Sequence, residues 1–553
     1  MRRHAPGWVG CLVLLALAGA AAPQSAQTPV GAAPPGCFSH SPATRELDIS
    51  LCQEDVFHRS RSLPQEMSTA PSVAQQPTDW PQESPPPPLP AREVTFPPYE
   101  IRTLANGLQV VVVTHDEQPA VTLRLMIGSG AASDPAGRNG VAALTAQLLD
   151  QGTTSRNATE IAESIDTIGG LLSVGAGTDL SFVNVLVMMD SFEFGVHLVA
   201  DITRNPAFAP GEIERQRQQV LSGLRVSYED PAYLAGVVFG RLVYGVHPYG
   251  MPHNGTPASV QAITRDDLRA FHETYYAPNN ALLGIVGDVD VEEAFAAAER
   301  VFGDWERKTL PPPLRAALPE PTSRVVIIDK PGSVQTAIRV GQVGLPRADP
   351  DFLAFDVAIK ILGGEGGNRL GSVLRTERSL TYAASADMAS RRFGGDFMAK
   401  TDTRSGATAE ALRLMVDEVA RLRREQVSAF ELQNAQAYLA GSFPLTLETP
   451  NAIAAQVLES LLYGLDLADL PTYPARINAV TVNDIRRVTR TYLQPQRLSI
   501  VLVGEASAFV DDLPGVGFDN VEVLSIDELD LSRADLRRSS TAHGAPRGSR
   551  LAP

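Results

Sequence analysis

Along the chain, unbroken apolar runs alternate with stretches in which apolar positions recur every three or four residues. Leu108 to Val113 and Val121 to Ile127 are β-rich runs separated by a polar turn, which predicts two strands joined as a hairpin. Apolar positions at 141, 142, 144, 148 and 149, entered from a Gly/Asp/Pro loop and followed by Gly152, predict a helix with that glycine as its C-cap. Helices are also predicted at 157–168, 211–227 and 264–275, and a strand at 182–189. Strands and amphipathic helices in this order predict an α+β fold, a mainly antiparallel sheet with helices packed on one face.

The pattern is written twice. Ile263 to Leu268, Thr274 to Pro278 and Val286 to Asp288 recur as Val480 to Ile485, Thr491 to Pro495 and Val503 to Glu505. The offset is constant at 217, as 480 − 263, 495 − 278 and 504 − 287 each give. Upstream, Leu242 to Gly245 matches Leu461 to Gly464, and Arg324 to Ile328 opens the second copy as Leu108 to Val113 opens the first. Two homologous tandem domains follow, at 97–310 and 323–510, joined by a Pro-rich linker at 311–322. Beyond 510 the chain is acidic and then polar, with a short strand expected at 521–524.

Composition changes the picture at the N-terminus. Two arginines precede an apolar run from Trp8 to Ala22 that is short for a membrane span, so residues 1–22 read as a cleaved secretory signal that leaves no transmembrane anchor. Residues 23–96, rich in Pro, Ser, Gln and Ala, read as a disordered tether. With Cys11 inside the signal, the mature chain keeps Cys37 and Cys52, either a disulfide or two thiols in a disordered arm. A formal net charge of −16 over 553 residues argues against nucleic acid as a partner.

The stretch Gly140 to Thr153 resembles the zinc helix of the insulinase, pitrilysin and mitochondrial-processing-peptidase family, the inverted zinc peptidases. That family's signature is Gly-x-Ala-His-x-x-Glu-His with a Gly-Thr exit. Here its first His falls on Ala143, its general-base Glu on Ala146 and its second His on Gln147, while its third ligand, a Glu on a later helix, falls on Gly223. A catalytic zinc takes about three lone-pair ligands and an open water position. Two methyls, an amide and a glycine supply neither the ligands nor the base, so no zinc is expected in this chain. His272 to Tyr276 does not rescue a site, because Tyr stands where a second His is needed, and His247 with His253 resembles a structural loop.

A second family motif survives. Leu362 to Tyr382 resembles the pattern of the C-terminal domain, a Gly-rich turn at Gly363, Gly364, Gly366 and Gly367, then Arg-Leu, Leu-Arg and a Tyr. The resemblance makes Arg375 and Tyr382 the pair that contacts substrate backbone opposite the zinc. A guanidinium and a phenol can bind a peptide carbonyl and stabilise the oxyanion that develops on it. The structural alternative pairs Arg375 with a carboxylate and leaves Tyr382 at the entry of a strand; the glycines alone make a flexible turn.

Together these imply an exported, catalytically silent member of the family, with the bacterial periplasm as its expected location. It would complete a clamshell-like peptide chamber with a homologous active zinc peptidase subunit, and the zinc would sit in that partner. The rival is a peptide-binding or structural scaffold with no role in hydrolysis.

Overall fold

A computed structural model describes residues 95–312, 317–364 and 367–538. The expected signal, the two mature cysteines and Gly366 lie outside the described residues. The first sheet comprises β1 (Tyr99–Thr103), β2 (Gln109–Thr114), β3 (Ala120–Ile127), β4 (Leu171–Ala176), β5 (Ser181–Met188) and β6 (Ala281–Gly287), in the order β1-β2-β6-β3-β5-β4. The second comprises β7 (Arg324–Asp329), β8 (Gln335–Gly344), β9 (Ala384–Ser390), β10 (Gly395–Arg404), β11 (Ser499–Gly504) and β12 (Glu522–Ser525), in the order β12-β7-β11-β8-β10-β9. With only the outermost β1 and β12 set aside, the two orders are the same. The duplication read from the 217-residue offset is therefore a duplication of topology. Gly287 and Gly504 each end the equivalent strands β6 and β11. Thr264 and Thr481 each cap the preceding helix in a box with Asp267 and Asp484.

The expected hairpin of 108–113 with 121–127 does not form. β6 lies between β2 and β3, parallel to β2 (Gln109 beside Leu282) and antiparallel to β3 (Val121 beside Gly287). A parallel neighbour arrives through a long crossover, so nothing in the local pattern announces it. β6 also accounts for the apolar run it joins: Val110 to Val113 are all wholly buried, a density suited to a strand covered on both faces.

Each half covers one face of its own sheet with its own helices. In the first half Val110 and Val112 pack with Leu144 of Val141–Gln147, Ile161 of Ala158–Thr167, Val196 of Phe192–Arg204 and Leu268 of Arg265–Tyr275. The other face is not open. Val111, Val113 and Val286 pack against Ile453, Val457 and Leu458 of the helix Pro450–Leu462, which belongs to the second half. Reciprocally, Leu234, Val238 and Phe239 of the helix Pro231–Tyr244 pack on Val326, Ile328 and Val503 of the second sheet. Glycines let these traded helices sit close: a Cβ on Gly284 would meet Leu458 at 3.2 Å, and one on Gly341 would meet Phe239 at 2.8 Å. Each such apolar side chain taken from water contributes about 1.5–3 kcal/mol, so the exchange ties the halves together. Among the described residues no helix is long and apolar enough to cross a membrane.

Candidate functional site

The helix carrying the three degenerate positions is short and almost entirely interior. Val141 to Ala146 are all buried, with Ala143 4% and Ala146 0% exposed. Its N-terminus is held from outside the helix. Asp134 accepts the backbone N–H of Gly140 at 2.6 Å and that of Ala142 at 2.8 Å, and Gly140 takes φ +98. Burial pushes the Asp134 carboxyl up to about 7, against the two backbone donors that favour its charge. Gly152 is not the expected C-cap. The helix closes at Gln147 with Leu148 as cap, and Gly152, at φ +124, forms an isolated bridge with Asn157.

The structure brings Gln147 and Gly223 together in one cleft of about 460 Å³, lined also by Asp150, Gln216, Gln219, Tyr233 and Asn254. Gly223 sits in the long helix Pro210–Ser227, and a Cβ there would meet nothing within 4 Å. The two helices thus face one cleft, but the donors do not fit zinc. Ala143 and Ala146 carry only buried methyls. Among the described residues no group of three or more His, Cys, Asp or Glu could hold a metal ion.

Two of the histidines weighed from sequence have structural roles. Nδ1 of buried His247 accepts the N–H of Tyr249 at 3.1 Å. Burial lowers His272 to about 4; its neutral Nε2–H donates to the Thr203 carbonyl at 2.7 Å, and its ring stacks on Tyr276 at 4.6 Å.

The second motif is assembled at the end of the helix Phe352–Gly363. A Cβ on Gly363 would lie 2.1 Å from the N of Ala386, so only glycine lets the helix end abut β9. Gly364 likewise faces the Lys360 carbonyl, 2.6 Å from where its Cβ would be, whereas Gly367 stands in open space. Asn368 closes the turn, donating to Gly364 O at 2.5 Å and accepting from Gly371 N at 2.7 Å. A π-helical turn, Gly371–Glu377, follows and carries Arg375. Ser379, at φ +54, reverses the chain, a conformation that costs a non-glycine residue about 1–2 kcal/mol. Thr381 then anchors the segment by donating to Asp402 O at 2.8 Å.

Arg375 and Tyr382 line one cavity of about 570 Å³ with Gly364, Gly367 and Asn368. Both are exposed, Tyr382 at 90%, and among the described residues neither side chain has a hydrogen-bond or ion-pair partner. The structural alternative holds only in part. Tyr382 does precede β9 with its hydroxyl at the surface, but Arg375 pairs with no described carboxylate. Two neighbouring arginines do pair: Arg369, 6% exposed, at 2.7 Å from Glu431, and Arg378 at 3.8 Å from Glu410. Although burial opposes it, the Arg369 guanidinium and the Ser428 donors hold Glu431 down to about 2.

Sequence reasoning missed a third feature, between the halves. A cavity of about 610 Å³ is lined by Asp134, Asp179, Tyr275, Asn280, Pro311 and Arg392. Beside it, Arg391 pairs with Asp396 at 2.7 Å and lies 4.9 Å from the Tyr244 ring, while the Tyr249 hydroxyl donates to Asp179 at 2.7 Å. Tyr244 and Arg391, like Asp179 and Tyr249, stand far apart in the chain, and no local spacing signals them.

Comparison with known proteins finds two family models along the chain, the second of which begins inside the first half. Residues 110–237 match the family model described as insulinase (peptidase family M16), and residues 262–439 match that described as peptidase M16 inactive domain. An uncharacterized zinc protease of Mycobacterium leprae is 26% identical over 413 residues, spanning 73% of this chain and 92% of that protein. The crystal structure of a peptidase M16 inactive domain from Pseudomonas fluorescens superposes with a TM-score of 0.70 at 28% identity, covering 73% of this chain and 98% of that one. A protease from Helicobacter pylori shares the fold with a TM-score of 0.69 at 22% identity, covering 74% and 99%.

Proposed function

Because the chain belongs to the insulinase (M16) peptidase family as a non-catalytic member, we propose that it is the exported, silent subunit of a heteromeric zinc peptidase. In this role it completes a peptide chamber with a homologous subunit that carries an intact HxxEH site and the zinc. The observation that supports it most is the pairing of Arg375 and Tyr382 on one open cavity, both without partners among the described residues. An unpaired guanidinium and a phenol held 90% exposed do little for folding stability, and both are hydrogen-bond donors for a peptide carbonyl. Donors placed where negative charge develops are each worth about 2.7–4 kcal/mol in acyl transfer. The strained Ser379 between them is the kind of local cost found where geometry serves binding.

This chain's own part in the chemistry is then positioning and oxyanion stabilisation, with the metal, the general base and the attacking water all supplied by the partner. The two arginines ahead of the apolar run from Trp8 to Ala22 support export, and a periplasmic location accords with it. A scaffold with no role in hydrolysis is the competing assignment, favoured by the tight, reciprocal packing of the halves.

The test is zinc loading of the purified chain, followed by metal analysis and peptide turnover with and without an intact homologue. The expected result is no stoichiometric zinc, no turnover alone, and turnover in the mixture above that of the homologue by itself. One zinc per chain, or a homologue indifferent to this subunit, would refute the proposal.

A further inference from the structure

The Tyr382 side chain is exposed and has no partner among the described residues, so what holds it in place acts on the backbone at either side. That backbone lies just beyond the end of a ladder. β9 and β10 pair from Gly395 beside Ser390 to Thr401 beside Ala384, and the register stops there. Past that point hydroxyls take over from the ladder. Thr403 Oγ1 donates to the Leu380 carbonyl at 2.8 Å, Thr401 Oγ1 donates to the Ala383 carbonyl at 2.8 Å, and Thr381 Oγ1 returns a bond to the Asp402 carbonyl at 2.8 Å. Thr401 and Thr403 stand two residues apart on β10, hence on one face, and both are buried. The two carbonyls they hold bracket Tyr382.

The near side of the segment is fixed by the turn that bears Arg375. Leu380 N–H donates to the Leu374 carbonyl at 2.8 Å, and Ser379 N–H to the Arg375 carbonyl at 3.1 Å. Leu380 is thus held from both directions, its N–H by the π-helical turn and its C=O by β10. A hydroxyl as buried as that of Thr403, at 1% exposure, is costly to leave without a bond, and its β-branched side chain has few rotamers to choose from.

We propose that Thr403 is the positioning residue for Tyr382: its hydroxyl fixes the Leu380 carbonyl and, with Thr401 and Thr381, sets where the phenol stands beside Arg375. This role presupposes that Arg375 and Tyr382 act on a bound peptide carbonyl, as proposed above, and adds what aims the phenol. Oxyanion donors work because they are in place before charge develops. A misplacement of about 1 Å, even by a change remote from the reacting atoms, can cost about 10²-fold in rate.

The test is turnover by the full chain assembled with an intact homologous subunit, on one internally quenched decapeptide that the wild-type complex cleaves. Thr403→Val keeps the side chain's shape and drops the hydroxyl. It should lower kcat by about tenfold or more while KM stays within about twofold, the signature of an interaction made in the transition state. Thr403→Ser keeps the donor and should restore turnover. In a Tyr382→Phe chain, Thr403→Val should cost nothing further, because the hydroxyl it aims is already gone, whereas a loss of packing would multiply with Tyr382→Phe. Thr381→Val, outside any strand, should show the same signature and replaces Thr403→Val if that chain does not assemble. Unchanged kcat in the assembled variant, a loss confined to KM, no rescue by serine, or losses that multiply with Tyr382→Phe would each overturn the role of Thr403 while Tyr382→Phe alone still slows turnover. Full turnover by Tyr382→Phe alone would instead bring down the oxyanion role, and that of Thr403 with it.

Discussion

The two halves share a strand order and differ in what they do with their chemistry. In the first, two of the four positions aligned with a metal site, Ala143 and Ala146, are methyls packed at 4% and 0% exposure, and the helix that bears them reads as core. In the second, the Gly-rich turn, the π-helical turn and a left-handed serine lift Arg375 and Tyr382 away from the core and leave them without partners among the described residues. Folding accounts for the first arrangement, because buried alanines fill space between helix and sheet. It does not account for the second, because an exposed phenol stabilises little and the turn that presents it carries a conformational cost. The contrast teaches that erased chemistry and kept scaffold can coexist in one half, and that the place to look for function is where packing no longer explains the residues.

The sharpest way to break that comparison is to ask whether the halves are separable. Phe239 reaches from the first half onto the second sheet, and Leu458 from the second half onto the first. Phe239→Ala should cost about 3–5 kcal/mol and Leu458→Ala about 2–5 kcal/mol, each lowering the stability of both halves in one denaturant transition. Independent transitions, with loss confined to one half, would mean the exchange does not couple them.

A smaller effect concerns the capped helix of the silent half. The Asp134 carboxyl is raised from 3.8 to about 7 by burial, so the folded state holds a proton that the unfolded chain has released. Its contribution to stability is fully present below pH 3.8 and is lost as pH rises through about 7. Unfolding measured across that window should show wild-type stability falling with pH relative to Asp134→Asn; parallel curves would refute the assignment.

The smallest effect lies at the open face of the cleft. Gly223 is helical and unobstructed, so Gly223→Ala should raise stability by about 0.5–1 kcal/mol through helix propensity and a less flexible unfolded chain. Destabilisation would show that Gly223 is packed against something.

Much of this was legible in sequence because the signals were local. Helices at 211–227 and 264–275, strands at 182–189 and 521–524, and the repeat itself rest on periodicity, caps and spacing, and they appear as Pro210–Ser227, Arg265–Tyr275, β5 and β12. What was not legible is long-range. The hairpin fails because β6 enters from more than 150 residues away, which turn residues cannot report. The traded helices were invisible for the same reason, although the unbroken runs Val110 to Val113 and Val325 to Ile328 carried a trace of them, since a strand buried on both faces loses its alternation. Gly152 misled because a glycine after an apolar run reads as a cap, while here its positive φ serves a bridge to Asn157. The alignment of Gln147 with Gly223 was readable from the family frame, but Gln216 and Gln219 beside them were not, since neither stands at a motif position.

The central claim, a silent first half beside a working second half, is tested most directly by turnover of the assembled complex. Arg375→Ala and Tyr382→Phe chains are each co-purified with an intact homologous subunit, their assembly is checked by size, and peptide cleavage is measured under saturating substrate. Both side chains are exposed and, among the described residues, unbonded, so assembly and stability should match the wild type. Turnover should fall by about 10²–10³ on loss of an oxyanion donor. Full turnover in both variants would contradict the account and leave this chain a wall of the chamber.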